Sequence, residues 1–557
     1  MVHSCASKGP LGRPAPTARA LPGVLVLLVG FVLGCGADRP SAAPGTARAA
    51  TAVGATIADL SGVNELVASD IQFTTDVLDQ LFVQLLDEQA DFADHPPTFA
   101  PELARSYDWS DDHLALTFHL REDARWSDGV PMTAEDVRWT WQAQTSPEVA
   151  WSYGDLKDGI TDVEVVDPHT VRFRFKAAYS HQLTDAIDGK ILPKHVWGQV
   201  PFAAWRESAA WFRDHLVTSG PFRLAEWRPG EELVLVRNEN YFDPALPKLD
   251  RVIFRVAPDA ATHIEQLLAG TLDFACGITP SDAARITDRK DLRVIAFDNR
   301  QYDYIAWNLL RAPFDDREIR RALTLAIDRQ ALVDTLFKGY ARVASSPIPS
   351  NIWAHDRTLT PLPYAPAESR RILAQQGFAD RDGDGVLERD GRPFAFELTT
   401  NSSNRIRTAA LVLIQEQLRR VGVAATPRTM EIHALTQANR GHEFDATVSG
   451  WAIDTTLDFR PYFHSTESAG GYNIGSYGNA EVDRLLDTSR RAPSPEAALP
   501  DLVRLQQILH ADQPYTFLWE PQRLCAVRAD LEEVRPNALS AYFNLPEWQR
   551  RASPDGP

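Results

Sequence analysis

Cysteine is scarce, four in 557 residues. So few bridges cannot scaffold a chain of this length, so the fold must rest on a hydrophobic core. Positive charge is in deficit: Lys+Arg 57 against Asp+Glu 75, a net charge of −18. An acidic chain repels phosphate backbones, which argues against nucleic acid as a partner. Long apolar runs are absent except for one near the start, which excludes a polytopic membrane protein. Enzyme signatures are missing as well. There is no G-x-S-x-G elbow, no G-x-x-x-x-G-K-[ST] phosphate loop, no G-x-G-x-x-G and no H-E-x-x-H. The fourteen histidines form no i, i+3 or i, i+4 pair of the kind that binds a metal. The expectation is a chain that is not an enzyme and holds no resident cofactor. What is present is ordinary for a soluble globular chain: 44% apolar and 24% charged residues. The length suggests about two to four domains.

The first residues carry an address. Lys8, Arg13 and Arg19 precede the apolar run Val24 to Leu33, which is too short to span a bilayer and reads as a signal-peptide core. Val32-Leu33-Gly34-Cys35 then resembles the lipobox at which bacterial lipoprotein precursors are cleaved and the cysteine acylated. Residues 1–34 are therefore expected to be removed, leaving a net charge of −21, with a lipid on Cys35 tethering the chain to a membrane surface. Residues 35–51 are Pro/Ala/Gly-rich and unpatterned, a flexible tether. Beyond Cys35, Cys276 and Cys525 are either bridged, which an extracytoplasmic compartment permits, or two buried thiols.

Downstream, both periodicities of an α/β protein occur. Leu114, Leu116, Phe118 and Leu120 alternate with polar residues, as do Val171, Phe173 and Phe175, and Phe394, Phe396 and Leu398. Leu233–Val236 and Val252–Phe254 lack alternation, as more buried strands do. Thr133 and Asp136 form a capping-box start. Ile319, Ala322, Leu323, Ala326 and Ile327 make one helical stripe, and Asp328 caps a helix ending near Gly339. Ile406, Ala409, Ala410, Leu413, Ile414 and Leu418 make another, ended by Gly422. Asp380, Asp382, Asp384 and Gly385 open like an EF-hand calcium loop. The twelfth position is Gly391, however, where a bidentate Glu belongs, and Glu388 stands at the ninth. The other reading is a polar turn with Gly383 and Gly385 at positive φ.

From Pro101 the chain reads PELARSYDWSDDHLALTFHLREDARWSDGVPMTAEDVRWTW. Further blocks follow in order: VTSGPFRLAEWRPGEELVLVRNENYFDPALPKLDRVIFRV, NLLRAPFDDREIRRALTLAIDRQALV, EFDATVSGWAIDTTLDFRPYFHS and YNIGSYGNAEVDRLLD. Together they resemble the bacterial extracellular solute-binding proteins, family 5, the peptide- and nickel-type receptors of ABC importers. The resemblance implies an α/β fold of the large periplasmic-binding-protein type, two lobes with a hinge plus an extra inserted domain. It places the first lobe at 52–92, 206–304 and 523–557, the inserted domain at 93–205 and the second lobe at 305–522.

The resemblance also implies a site. In peptide-binding members, the tryptophan and aspartate matching Trp451 and Asp454 lie in the cleft, and the aspartate receives the peptide's ammonium group. Gly450 and Ala452 flank them, and Tyr515 and Trp519 are further cleft candidates. The alternative roles are core packing for the aromatics, and a helix cap or an arginine partner for Asp454. Two departures bear on the ligand. Val448 stands where oligopeptide receptors can carry arginine, and Thr455-Thr456-Leu457-Asp458 replaces the frequent Asp-Pro. The implied partners are a short peptide, a permease with its ATPase, and a membrane reached through Cys35, with the chain itself monomeric. Oligosaccharides, opines, haem and nickel chelates are the rival solutes. An envelope hydrolase or a sensory or chaperone-like binder is the rival class.

Overall fold

The computed structural model describes residues 51–69 and 71–551. The expected signal peptide, Cys35 and all of the tether but Thr51 lie outside them. No helix among the described residues is long and apolar enough to cross a membrane.

Three sheets organise the chain. The first has seven strands, in the order Leu292–Phe297, Arg523–Arg528, Phe274–Cys276, Thr51–Thr56, Arg251–Val256, Glu232–Arg237, Phe222–Arg228. It draws on three distant stretches of sequence. The second has six strands, in the order Ala341–Val343, Tyr515–Pro521, Gln301–Trp307, Ala446–Ala452, Ala395–Asn401, Ala424–Met430. The third is a four-stranded antiparallel sheet, Ala104–Trp109, Ala115–Leu120, Thr170–Phe175 and Ile160–Asp167. Helices cover the two larger sheets, an α/β arrangement.

The alternating strands bury the faces that their patterns predict. Leu116, Phe118 and Leu120 are inaccessible, whereas Leu114 lies just outside the strand and is exposed. Thr133 and Asp136 close a reciprocal capping box on the helix Ala134–Gln144, with the Thr133 amide 2.9 Å from Asp136 Oδ2. The stripe on Arg317–Ala326 is buried under an Asp316 cap, and Asp328 caps Arg329–Phe337. On Arg405–Arg419, Ala410, Leu411, Ile414 and Leu418 face inward while Ala409 is exposed, because the stripe is narrower than the six expected residues. Gly220 is glycine because a Cβ there would overlap the Gln80 carbonyl oxygen.

One hydrophobic cluster joins a face of the seven-stranded sheet to the four-stranded sheet, running from Ala52 and Phe254 to Leu116 and Trp205. The six-stranded sheet carries a cluster on each face. Ile305, Trp307, Val448 and Trp519 belong to one, and Tyr302, Tyr304, Phe463 and Tyr515 to the other. The chain passes between the two large sheets at 298–300 and at 522. There the Gln522 side-chain Nε2 donates to Asp298 Oδ1 at 2.9 Å. Beside the second crossing, Cys276 and Cys525 are direct partners on neighbouring strands, with Cα atoms 4.0 Å apart, joined by a disulfide.

Candidate functional site

Strand Ala446–Ala452 lies in the middle of the six-stranded sheet, paired antiparallel to Gln301–Trp307. Its alternation sends Gly450 and Trp451 to opposite faces. On the Gly450 face, a bidentate ion pair fills the space a side chain would take. Arg407 donates to both Asp303 oxygens at 2.9 and 2.8 Å, with the two side chains 12% and 5% exposed. Trp519 is on that face and wholly buried, its indole N–H 3.0 Å from Asp303 Oδ2. It braces the ion pair and does not reach solvent.

On the other face Trp451 is half-buried. Its ring lies 4.7 Å from that of Tyr462, 5.7 Å from Tyr472 and 6.0 Å from Tyr304. Tyr515 stacks on Tyr304 at 4.1 Å and is also inaccessible. The structure therefore gathers Trp451 and Tyr515 through Tyr304, and sets Gly450 and Trp519 behind them. Tyr462 and Tyr472, outside the sequence expectation, complete the accessible aromatic wall. Val448 is buried in the core and contributes no charge.

After Ala452 the chain is clamped by the crossing segment. The Ile453 amide donates to the Arg300 carbonyl at 2.7 Å, and Arg300 Nη1 donates to the Ile453 carbonyl at 2.8 Å. Held this way, Asp454 projects a side chain that is 85% exposed, with Oδ1 3.7 Å from Arg300 Nη1. The following loop meets the opposite side of the junction. Thr455 lies beside Glu88, while Thr456 and Asp458 lie beside His181.

Next to that junction is a cavity of about 660 Å³. One wall carries Asp155, Asp158, Lys176, Tyr179 and Asp185, and the other Arg460, Asp487, Arg490 and Arg491. Asp458 ties the loop to this cavity through Arg490, at 3.9 Å. Burial pushes the Asp185 carboxyl up to about 7, although the Tyr179 hydroxyl donates to it at 2.8 Å.

The carboxylates of Asp380, Asp382 and Asp384 are exposed and close together. They accept from their own loop: Asp380 from Gly383 and Gly385, Asp382 from Asp384, and Asp384 from Val386. Both loop glycines have positive φ, and Glu388 accepts from the Arg381 amide at 2.8 Å. These are the bonds of a tight turn feeding the hairpin Glu388–Arg389 and Arg392–Pro393.

Residues 98–473 match the model of the bacterial extracellular solute-binding proteins, family 5. The chain belongs to that family. It is 31% identical over 451 residues to the oligopeptide-binding protein AppA of Bacillus subtilis, covering 80% of this chain and 82% of that one. The AppA structure, in complex with a nonapeptide, superimposes with a TM-score of 0.75 over 90% of this chain and 98% of AppA. The glutathione-binding protein GsiB of Salmonella typhimurium is 28% identical, over 80% of this chain and 83% of its own length. NikZ from Campylobacter jejuni, in complex with Ni(L-His), shares the fold with a TM-score of 0.76 at 23% identity, covering 90% of this chain and 99% of NikZ. The fold is that of the large periplasmic binding proteins, and membership places the chain among extracytoplasmic solute binders.

Proposed function

We propose that this chain captures short peptides for an ABC importer, holding the peptide's amino end at Asp454 against the wall of Trp451, Tyr462 and Tyr472. The observation that carries this is the Asp454 carboxylate. It is clamped through its neighbour Ile453 yet open to solvent, on a loop whose Asp458 meets Arg490 in the wall of a cavity large enough for a small solute. The likeness to an oligopeptide-binding protein over most of the chain supports a peptide as the solute. A carboxylate screened from water by closing lobes makes a strong charge-assisted bond to an ammonium group.

The lobes are proposed as 52–92, 206–304 and 523–557 for the first, 93–205 for the inserted domain and 305–522 for the second. Strand Gln301–Trp307 pairs within the six-stranded sheet, which supports moving the boundary proposed at 304 back to 298–300; the second crossing stays at 522. These crossings form the hinge, and a solute closes the lobes by binding the closed state more tightly than the open one. A monomer suffices, with the permease and its ATPase as partners. Cys35 carries the lipid anchor.

Two experiments test these statements. Asp454→Asn is expected to weaken binding of peptides with a free amino group by about 1.5–3 kcal/mol in calorimetry and to leave amino-acetylated peptides unchanged. Equal loss for both, or none for either, sinks the anchor role. Cys35→Ser is expected to abolish lipid labelling of the precursor, and labelling that persists removes the anchor.

A further inference from the structure

Glu88 ends the short strand Leu86–Glu88, which pairs with Phe99–Pro101. It faces the loop after Trp451 from the other side of the lobe junction. The Thr455 hydroxyl lies beside its carboxylate, and Arg300, Asp454 and Asp188 are close enough to act on its charge. Its Oε1 is shut off from solvent and has no hydrogen-bond partner among the described residues. A buried carboxylate oxygen without a donor is costly.

The nearby cation eases its charge but gives Oε1 no hydrogen bond, because Arg300 is committed elsewhere. Its Nη1 donates to the Ile453 carbonyl at 2.8 Å and lies 3.7 Å from Asp454, and its Nε donates to the Ala538 carbonyl at 3.2 Å. Two carboxylates from opposite sides of the junction thus converge around one engaged guanidinium. What the site lacks is a compact cation with several N–H donors, which is the chemistry of a primary ammonium group.

We propose that Glu88 is a second carboxylate of the ammonium site, so that the solute's amino group bridges Glu88 on one side of the junction and Asp454 on the other. This rests on the reading of Asp454 as the amino-end anchor and extends it to the facing lobe. The bridge links recognition to closure, because the ammonium reaches both carboxylates only when the lobes meet. It also sets specificity: a primary amine supplies donors to both sides, whereas an acetylated one leaves two acidic groups facing each other. Burial and the Asp454 and Asp188 charges push Glu88 up, while Thr455 and Arg300 pull it down.

The test is calorimetry with trialanine and amino-acetylated trialanine. Glu88→Gln keeps the side-chain volume, and Glu88→Asp keeps the charge. Glu88→Gln is expected to weaken trialanine binding roughly ten-fold and to change acetylated trialanine little. Glu88→Asp should recover part of the preference. If Glu88→Gln binds trialanine as wild type does while Asp454→Asn loses it, Glu88 is not part of the site and the Asp454 reading stands. If wild type binds neither peptide, or both equally, the amino-end anchor fails and this inference fails with it.

Discussion

Gly450 is the position in the candidate site where one added carbon does most. A methyl group there would overlap Asp303 Oδ1 and Arg407 Nη2. Both belong to an ion pair almost out of water, with Gln301 Nε2 at 2.8 Å and Trp519 Nε1 at 3.0 Å completing the bonds to Asp303. Burying such a pair does little for net stability, but displacing one partner leaves an uncompensated charge, at a cost of about 3–5 kcal/mol. Gly450→Ala is accordingly expected to lower the unfolding free energy from urea titration by an amount in that range, seen as a lower midpoint, although alanine is a conservative change by size. A midpoint within error of wild type would show that the pair can move aside. At this scale the sequence is partly transparent. Trp451 and Asp454 stand out because they match a local family pattern. Asp303 and Arg407 do not, since their partnership joins residues 104 positions apart. The one visible signal is Asp303 itself, a charge inside the otherwise buried strand QYDYIAW.

Secondary-structure elements are legible wherever one face of an element is apolar. The helix Arg317–Ala326 follows from its stripe and from Asp316 as cap. Pattern misses what a side chain does at long range. Arg320, on that same helix, is buried, and its guanidinium donates to the carbonyls of Phe314, Asp315, Asp512 and Gln513, tying the helix to the entry of strand Tyr515–Pro521. Sheet order is missed for the same reason. Strand Arg523–Arg528 lies between Leu292–Phe297 and Phe274–Cys276, and nothing local to any of the three encodes that placement. Cysteine count and compartment permit a bridge between Cys276 and Cys525, but only their direct opposition across neighbouring strands joins residues 249 positions apart. Among the aromatics, Tyr515 and Trp519 share one strand but serve opposite faces, because the strand's register against Gln301–Trp307 shifts between Asp303 and Tyr304.

Across the molecule, several acidic groups are buried, among them Asp76, Asp87, Glu102 and Asp185, in a chain already at −18. Burial, joined by the charge of Asp87, pushes Glu102 up to about 8, and burial lifts Asp87 and Asp76 to about 6. Asp185, in the cavity wall, rises to about 7. A carboxyl whose folded pKa exceeds its unfolded value binds more protons in the native state between the two values. Its contribution is therefore present at low pH and lost as pH climbs through the folded value. Each tenfold difference in acid strength between the folded and unfolded carboxyl is worth about 1.4 kcal/mol. His181, pushed down by burial, acts in the opposite sense, but its effect falls below the ordinary histidine value of 6.5. Above that value Glu102 and Asp185 set the slope. The ligand-free protein is thus expected to lose stability as pH rises from about 6.5 to 8.5, read as a falling urea midpoint at constant ionic strength. Glu102→Gln, which keeps the neutral form at every pH, should flatten that slope without lowering the midpoint at the acid end. A midpoint that holds or climbs over this range would mean that these carboxyls stay ionised in the folded chain, with water or counter-charge reaching them.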